Sequence, residues 1–150
     1  MTALGLDLGT TTGWAISCHG VVVSGSIKFQ HKPKELWGLR FYRFAQWLKE
    51  TLGTDKPVVV FYEHVRRHGG TIAAHVYGGF LAQLRAILDT QGIKVVGLSV
   101  GTIKKTGTGK GNASKDEMVA AAKSKWPDQD IKTHDQADAL WILETGITQL

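Results

Sequence analysis

Leu4-Gly5-Leu6-Asp7-Leu8-Gly9 sets a single acid inside an apolar run, and the alternation around that acid decides how the chain folds. Alternate residues of a strand share a face, so Leu4, Leu6 and Leu8 point one way while Ala3, Gly5, Asp7 and Gly9 point the other. The face carrying Asp7 is stripped of bulk on both sides of the carboxylate, which leaves room for a metal ion and an approaching backbone. A purely structural Asp more often sits in a turn or caps a helix.

Outward from this strand, the first thirty residues read as Thr2 to Gly9, Gly13 to Cys18 and Val21 to Phe29. Tight turns at Thr10-Thr11-Thr12 and His19-Gly20 make them antiparallel neighbours. From Glu35 to Leu52 the residues Trp37, Phe41, Phe44, Leu48 and Leu52 recur at helical steps, and Leu36 and Trp47 widen the stripe. Val58-Val59-Val60-Phe61-Tyr62 is a run typical of a strand covered on both faces, and Glu63 terminates it. A helix over Thr71 to Thr90, stopped near Gly92, and a strand over Ile93 to Leu98 complete an alternating α/β pattern.

Residues Gly101 to Lys115 hold four glycines, four lysines and no acid, which predicts a mobile cationic loop, a helical turn near Thr102 to Lys105 aside. Ser114 with Glu117 is a capping box that starts a helix running to about Trp126. Thr133 with Gln136 offers a similar start to a last helix, which carries Asp135 and Asp138 and stops near Gly146.

The 150 residues, 43% hydrophobic, suit one domain of 1–150 and are too few for two with substantial cores. No apolar stretch reaches membrane-spanning length and the N-terminus lacks a signal-peptide pattern, so an intracellular, cytoplasmic protein is expected. The lone cysteine, Cys18, can form no internal disulfide and reads as a small apolar strand residue. Net charge is +5, and once Asp7, Glu63, Asp135 and Asp138 are set aside, 18 basic side chains outnumber the remaining acids two to one. A surface of that sign attracts polyanions, nucleic acid foremost.

Four carboxylates on elements expected to be buried need a positive partner, and divalent metal is the usual one. Glu63 stands at the carboxyl end of a strand, where ligand sites of α/β sheets gather, although a first polar loop residue has the same look. Asp135 and Asp138 are three apart and face one point; helix starts also favour acids through the macrodipole alone. Oxygen ligands suit magnesium, and two ions about 4 Å apart can serve both sides of a phosphodiester in hydrolysis. No Cys-x-x-Cys spacing competes for zinc.

Taken together, Leu4-Gly5-Leu6-Asp7-Leu8-Gly9-Thr10, the strand ending Tyr62-Glu63, the loop Gly109-Lys110-Gly111-Asn112-Ala113-Ser114-Lys115 and His134-Asp135-Gln136-Ala137-Asp138-Ala139-Leu140 resemble the RuvC family of Holliday junction resolvases, its smaller phage-type members especially. The resemblance implies an RNase H-like fold, a five-stranded mixed sheet flanked by helices with the first three strands antiparallel. It implies a homodimer nicking four-way junctions or other branched DNA, with two Mg2+ ions per site and Mn2+ able to substitute. Carried onto this chain, the catalytic and metal-binding acids are Asp7, Glu63, Asp135 and Asp138. His134 stands beside them, at a place next to one where some relatives carry histidine.

The basic loop matches Lys110 and Lys115, one of them near the scissile phosphate, with Lys115 taken as catalytic. Arg66, Arg67, Lys104, Lys105, Lys110 and Lys115 are the candidate DNA contacts. Arg66, Arg67 and two glycines stand where bacterial relatives carry an aromatic wedge.

Other readings share some residues. Asp7 to Gly13 also resembles the first phosphate loop of sugar kinases and chaperone ATPases, which leaves Glu63 and the aspartate pair without a role. The YqgF type of RNA-processing nuclease shares the N-terminal motif but accounts less well for Glu63 and the double aspartate. A degenerate, non-catalytic DNA-binding domain would not retain all four acids. Arg66, Arg67, His68 and His75 can equally form a solvated face, and Lys28, Lys32, Lys34, Arg40 and Arg43 can simply solubilise a helix and its approach. Ala74, Gly78, Ala82 and Ala86 make a small-residue face on the second helix, open to its own sheet or to a second copy.

Overall fold

A computed structural model describes residues 1–150. Its centre is a five-stranded sheet in the order β3-β2-β1-β4-β5, formed by Thr2–Asp7 (β1), Thr11–Cys18 (β2), Val21–Lys28 (β3), Val59–His64 (β4) and Lys94–Ser99 (β5). The first three strands are antiparallel, while β4 runs parallel to β1 and β5 parallel to β4. This is the expected mixed sheet. Its helices are Leu39–Asp55 (α1), Thr71–Thr90 (α2), Val100–Thr108 (α3), Lys115–Lys125 (α4) and His134–Thr148 (α5).

The alternation around Asp7 divides the molecule into two cores. Leu4, Leu6 and Leu8 pack with Phe44, Leu48, Phe80 and Leu84 of α1 and α2, whereas Ala3, Ala15 and Phe61 face the helices α3, α4 and α5. On this second face the small residues of β1 and β2 bring α5 close. A Cβ on Gly5 would stand 2.8 Å from the backbone of Ala139 and Leu143, and one on Gly13 only 1.8 Å from the carbonyl oxygen of Asp135. The space beside Asp7, expected to admit a metal and a nucleic-acid backbone, is therefore largely filled by the backbone of α5.

Three boundaries and one helix face differ from expectation. Helix α1 starts at Leu39, because residues 33–38 after Pro33 form turns; Leu36 and Trp37, expected on the apolar stripe, are exposed. Strand β4 continues through His64, so Glu63 lies within the ladder opposite Leu98 rather than beyond its end. The segment expected as a mobile loop is helical from Val100 to Thr108. Ser99 caps it by accepting from the Thr102 N–H, and Gly109 ends it in the left-handed conformation at φ 79°. Finally, Gly78, Ala82 and Ala86 on α2 point to solvent, so packing on their own sheet does not explain that face.

Candidate active site

Asp7 ends β1 and Glu63 lies on the adjacent parallel strand. Their strands pair through Leu6 and Tyr62, and one further step of that register sets the two acids side by side. Glu63 alternates with Val59 and Phe61, both in the α3–α5 core, so it shares the face of Asp7. Tyr77 of α2 fixes the end of this strand: its hydroxyl donates to the Glu63 carbonyl at 2.8 Å and accepts from the Val65 N–H at 3.3 Å.

The other two acids arrive on α5. Thr133 caps this helix, its hydroxyl accepting from the Gln136 N–H at 3.0 Å. The Gln136 side chain then accepts from the Lys132 N–H at 2.9 Å and donates to Ser24 of β3 at 3.1 Å, tying the first turn to the sheet. Gly13, opposite Asp7 in the β1–β2 ladder, provides the clearance through which Asp135 reaches the site.

All four acids are half-buried, and none takes part in an ion pair. Their proximity shows in their affinities for protons. Burial, then the charges of Asp138, Asp135 and Glu63, push the Asp7 carboxyl well above its usual range, with Asp135 also within hydrogen-bonding reach. Burial and Asp138 raise Glu63, and Lys104 opposes them. Asp138 is lifted from 3.8 to about 6 by burial and Asp135, against the opposing charges of His134, Lys115 and Lys104.

A cleft of about 190 Å³ opens on this cluster, lined by Glu63, Asp138, Lys104 and Lys115 with Val100, Ile103, Met118 and Ile142 as its apolar wall. Its neighbour, about 620 Å³, shares Glu63 and Val100 and continues along His64, Val65, Arg66, Arg67 and Ser99. Lys104 and Lys115 thus meet the acids, and Arg66 and Arg67 border them. Lys105 lines a separate shallow concavity with Ser99, Thr102 and Gly111. Lys110 lies 3.8 Å from Glu117, and His134 leans away toward Asp116 at 3.7 Å. Sequence reasoning missed Tyr77, Gly13 and the apolar wall; only the invasive contact at Gly13 had a signal, in the bare face around Asp7.

Whether the cluster suits a divalent cation is a question of chemistry and of distance. The donors are all carboxylate oxygens, four acids outnumber the two lysines that meet them, and no sulfur stands among them, which fits a hard cation. Yet no group of three or more His, Cys, Asp or Glu side chains is arranged to hold a metal ion as they lie. Coordination would require the four carboxylates to turn toward a common centre.

The five-stranded mixed sheet with a helix laid across it is an RNase H-like fold, and the carboxylate cluster at the carboxyl ends of β1 and β4 is its candidate active site. Solved structures of Holliday junction resolvases share that fold. The chain is similar to T. thermophilus RuvC in complex with a Holliday junction substrate, with TM-score 0.78 and 22% identity over 97% of this chain and 92% of that one. It is also similar to the yeast mitochondrial Holliday junction resolvase Ydc2, with TM-score 0.65 and 16% identity over 95% of this chain and 76% of that one. Fowlpox virus resolvase with its substrate Holliday junction DNA gives TM-score 0.60 and 11% identity over 99% of both chains. No protein-family model matches the chain, and no curated protein matches its sequence.

Proposed function

We propose that the protein is a RuvC-type structure-selective endodeoxyribonuclease, hydrolysing phosphodiesters of branched DNA and of four-way junctions in particular. The observation that carries this reading is the meeting of Asp7, Glu63, Asp135 and Asp138, from β1, β4 and α5, beside Lys104 and Lys115. The likeness to resolvases whose structures hold Holliday junction DNA supports the substrate class.

Asp7, Glu63, Asp135 and Asp138 would hold Mg2+, with Mn2+ able to replace it and two ions per site. When bound, such ions supply Lewis acidity and nucleophile activation for in-line displacement at phosphorus. The chain's own groups do the rest. Lys104 and Lys115 reach the cleft and offset negative charge that grows on the phosphate during displacement. Ile103, Met118 and Ile142 limit water at the cleft wall, which strengthens those interactions. Arg66 and Arg67, exposed along the adjoining cleft, bind the DNA backbone, and Lys105 and Lys110 extend the cationic track. The solvent-facing Gly78, Ala82 and Ala86, with the half-buried Ala74, offer a surface for a homodimer that would nick two strands in concert.

Labelled four-way junctions, Y-forks and linear duplex, each incubated with magnesium, test the reading. Branched substrates should be nicked and linear duplex spared, and Asp7→Asn should cut none. Equal cutting by Asp7→Asn, or intact branched DNA with the wild type, would refute it.

A further inference from the structure

The sequence leaves Arg40 among solubilising cations, but in the fold it is only 8% exposed. None of the molecule's ion pairs involves it. A buried guanidinium without a counter-charge is costly, and here its partners are neutral. It donates to Thr10 Oγ1 at 3.2 Å, meets His31 Nδ1 at 2.7 Å and lies 5.2 Å from the centre of the Trp37 ring. Its Nε is buried with no partner at all. Because arginine only donates, His31 Nδ1 accepts, and the neutral imidazole keeps Nε2–H free to donate.

The surroundings point the same way. Lys28, Gln30, His31, Lys32 and Pro33 line a concavity of about 490 Å³ that contains no acid. It lies against the turn that follows Asp7, since Lys28 pairs with Thr11 and the Phe29 N–H donates to the Thr10 carbonyl at 2.7 Å. The start of α1 behind it has no side-chain cap and no acid in its first turn. Glu35, the acid nearest in sequence, is engaged by Arg43 and by the Lys32 N–H, and it does not line the concavity.

We propose that this concavity anchors a phosphate of the nucleic-acid strand adjacent to the one cut, contacted by Lys28, His31 and Lys32 and backed by Arg40. Arg40 is the positioning residue: it holds His31 and Thr10 in place and supplies the buried positive charge that an arriving phosphate neutralises. The proposal rests on the nuclease reading. It adds a second point of attachment on the far side of Asp7 from Arg66 and Arg67.

The test measures binding of a labelled four-way junction across a salt series, in Asp7→Asn protein so that cleavage does not intervene. Against this parent stand Lys28→Gln/Lys32→Gln and, separately, Arg40→Met. Each lost phosphate contact should lower the slope of log affinity on log salt by about one, with several-fold weaker binding. The lysine variant should keep the parent's melting temperature. An unchanged slope and affinity in a folded lysine variant would overturn the proposal while leaving the nuclease reading standing. If Arg40→Met does not fold, the lysine variant decides. Loss of a His31 imidazole response to inorganic phosphate without loss of DNA affinity would mark a free-anion site and also overturn it. A parent that binds no DNA of any shape would remove the nuclease reading and this anchor with it.

Discussion

At Asp7, burial and three neighbouring carboxylates act in the same direction, and nothing in the protein offsets them. Removing that charge should separate function from stability. Asp7→Asn is expected to abolish nicking yet raise the metal-free melting temperature by roughly 2–4 °C, the shift of about 1 kcal/mol in a chain of this size. Calorimetry in EDTA beside a nicking assay checks this, and a lowered midpoint would count against the repulsive cluster. Gly13 works by absence of a side chain: the added Cβ of Gly13→Ala would meet the Asp135 backbone at 1.8 Å. Displacing α5 should cost about 1–3 kcal/mol of stability by denaturant titration, with loss of nicking. These two residues also show what a sequence can and cannot convey. The bare face around Asp7 was legible from alternation alone, but its occupant is a helix more than a hundred residues further on, which no local pattern announces.

Helix α3 shows the same limit in a whole element. Its sequence, with Gly101, Gly107 and several threonines, has poor helix propensity, yet Ile103 is buried and Gly107 packs against Met118 and Trp141. Tertiary contacts outweighed local preference, although Ser99 and Gly109 were helix boundary signals in plain view. The consequence for the site is that Lys104 rides on a rigid element facing Glu63 and Asp138 instead of on a mobile loop. The capping box of α4, legible from Ser114 and Glu117, sets Lys115 at the helix start. Ser114→Ala should cost about 1 kcal/mol by thermal melting and slow nicking through Lys115. On α2, Tyr77→Phe removes the hydroxyl that bridges Glu63 and Val65 at the end of β4. That variant should lose about 1 kcal/mol and show a reduced turnover with unaltered junction affinity, since no DNA contact changes. Weakened affinity with normal turnover would contradict the positioning role.

For the molecule as a whole, the raised acids make stability depend on pH in a defined sense. Asp138 holds its proton up to about 6 in the folded state against 3.8 ordinarily, and Asp7 and Glu63 are raised as well. Over that interval the native protein binds more protons than the unfolded chain, so metal-free stability falls as pH rises from 3.8 through about 6 and stays low above it. The Asp138 share is on the order of 2–3 kcal/mol. Melting temperatures in EDTA should therefore decline across this interval, and Mg2+ should restore more stability at neutral pH than in acid; a flat profile would contradict the mutual repulsion. The antiparallel first three strands and the two faces of β1 were readable from turn residues and alternation, whereas the burial of Arg40 was not, because its partners Thr10 and His31 lie in separate segments. No helix is long and apolar enough to cross a membrane. The late position of α5 in the chain has a kinetic corollary. Asp7 and Asp135 meet only after almost the full length has closed into a loop, a slow step rewarded only at its end. A cation selective for the assembled quartet should therefore leave the refolding rate unchanged and act as a brake on unfolding alone.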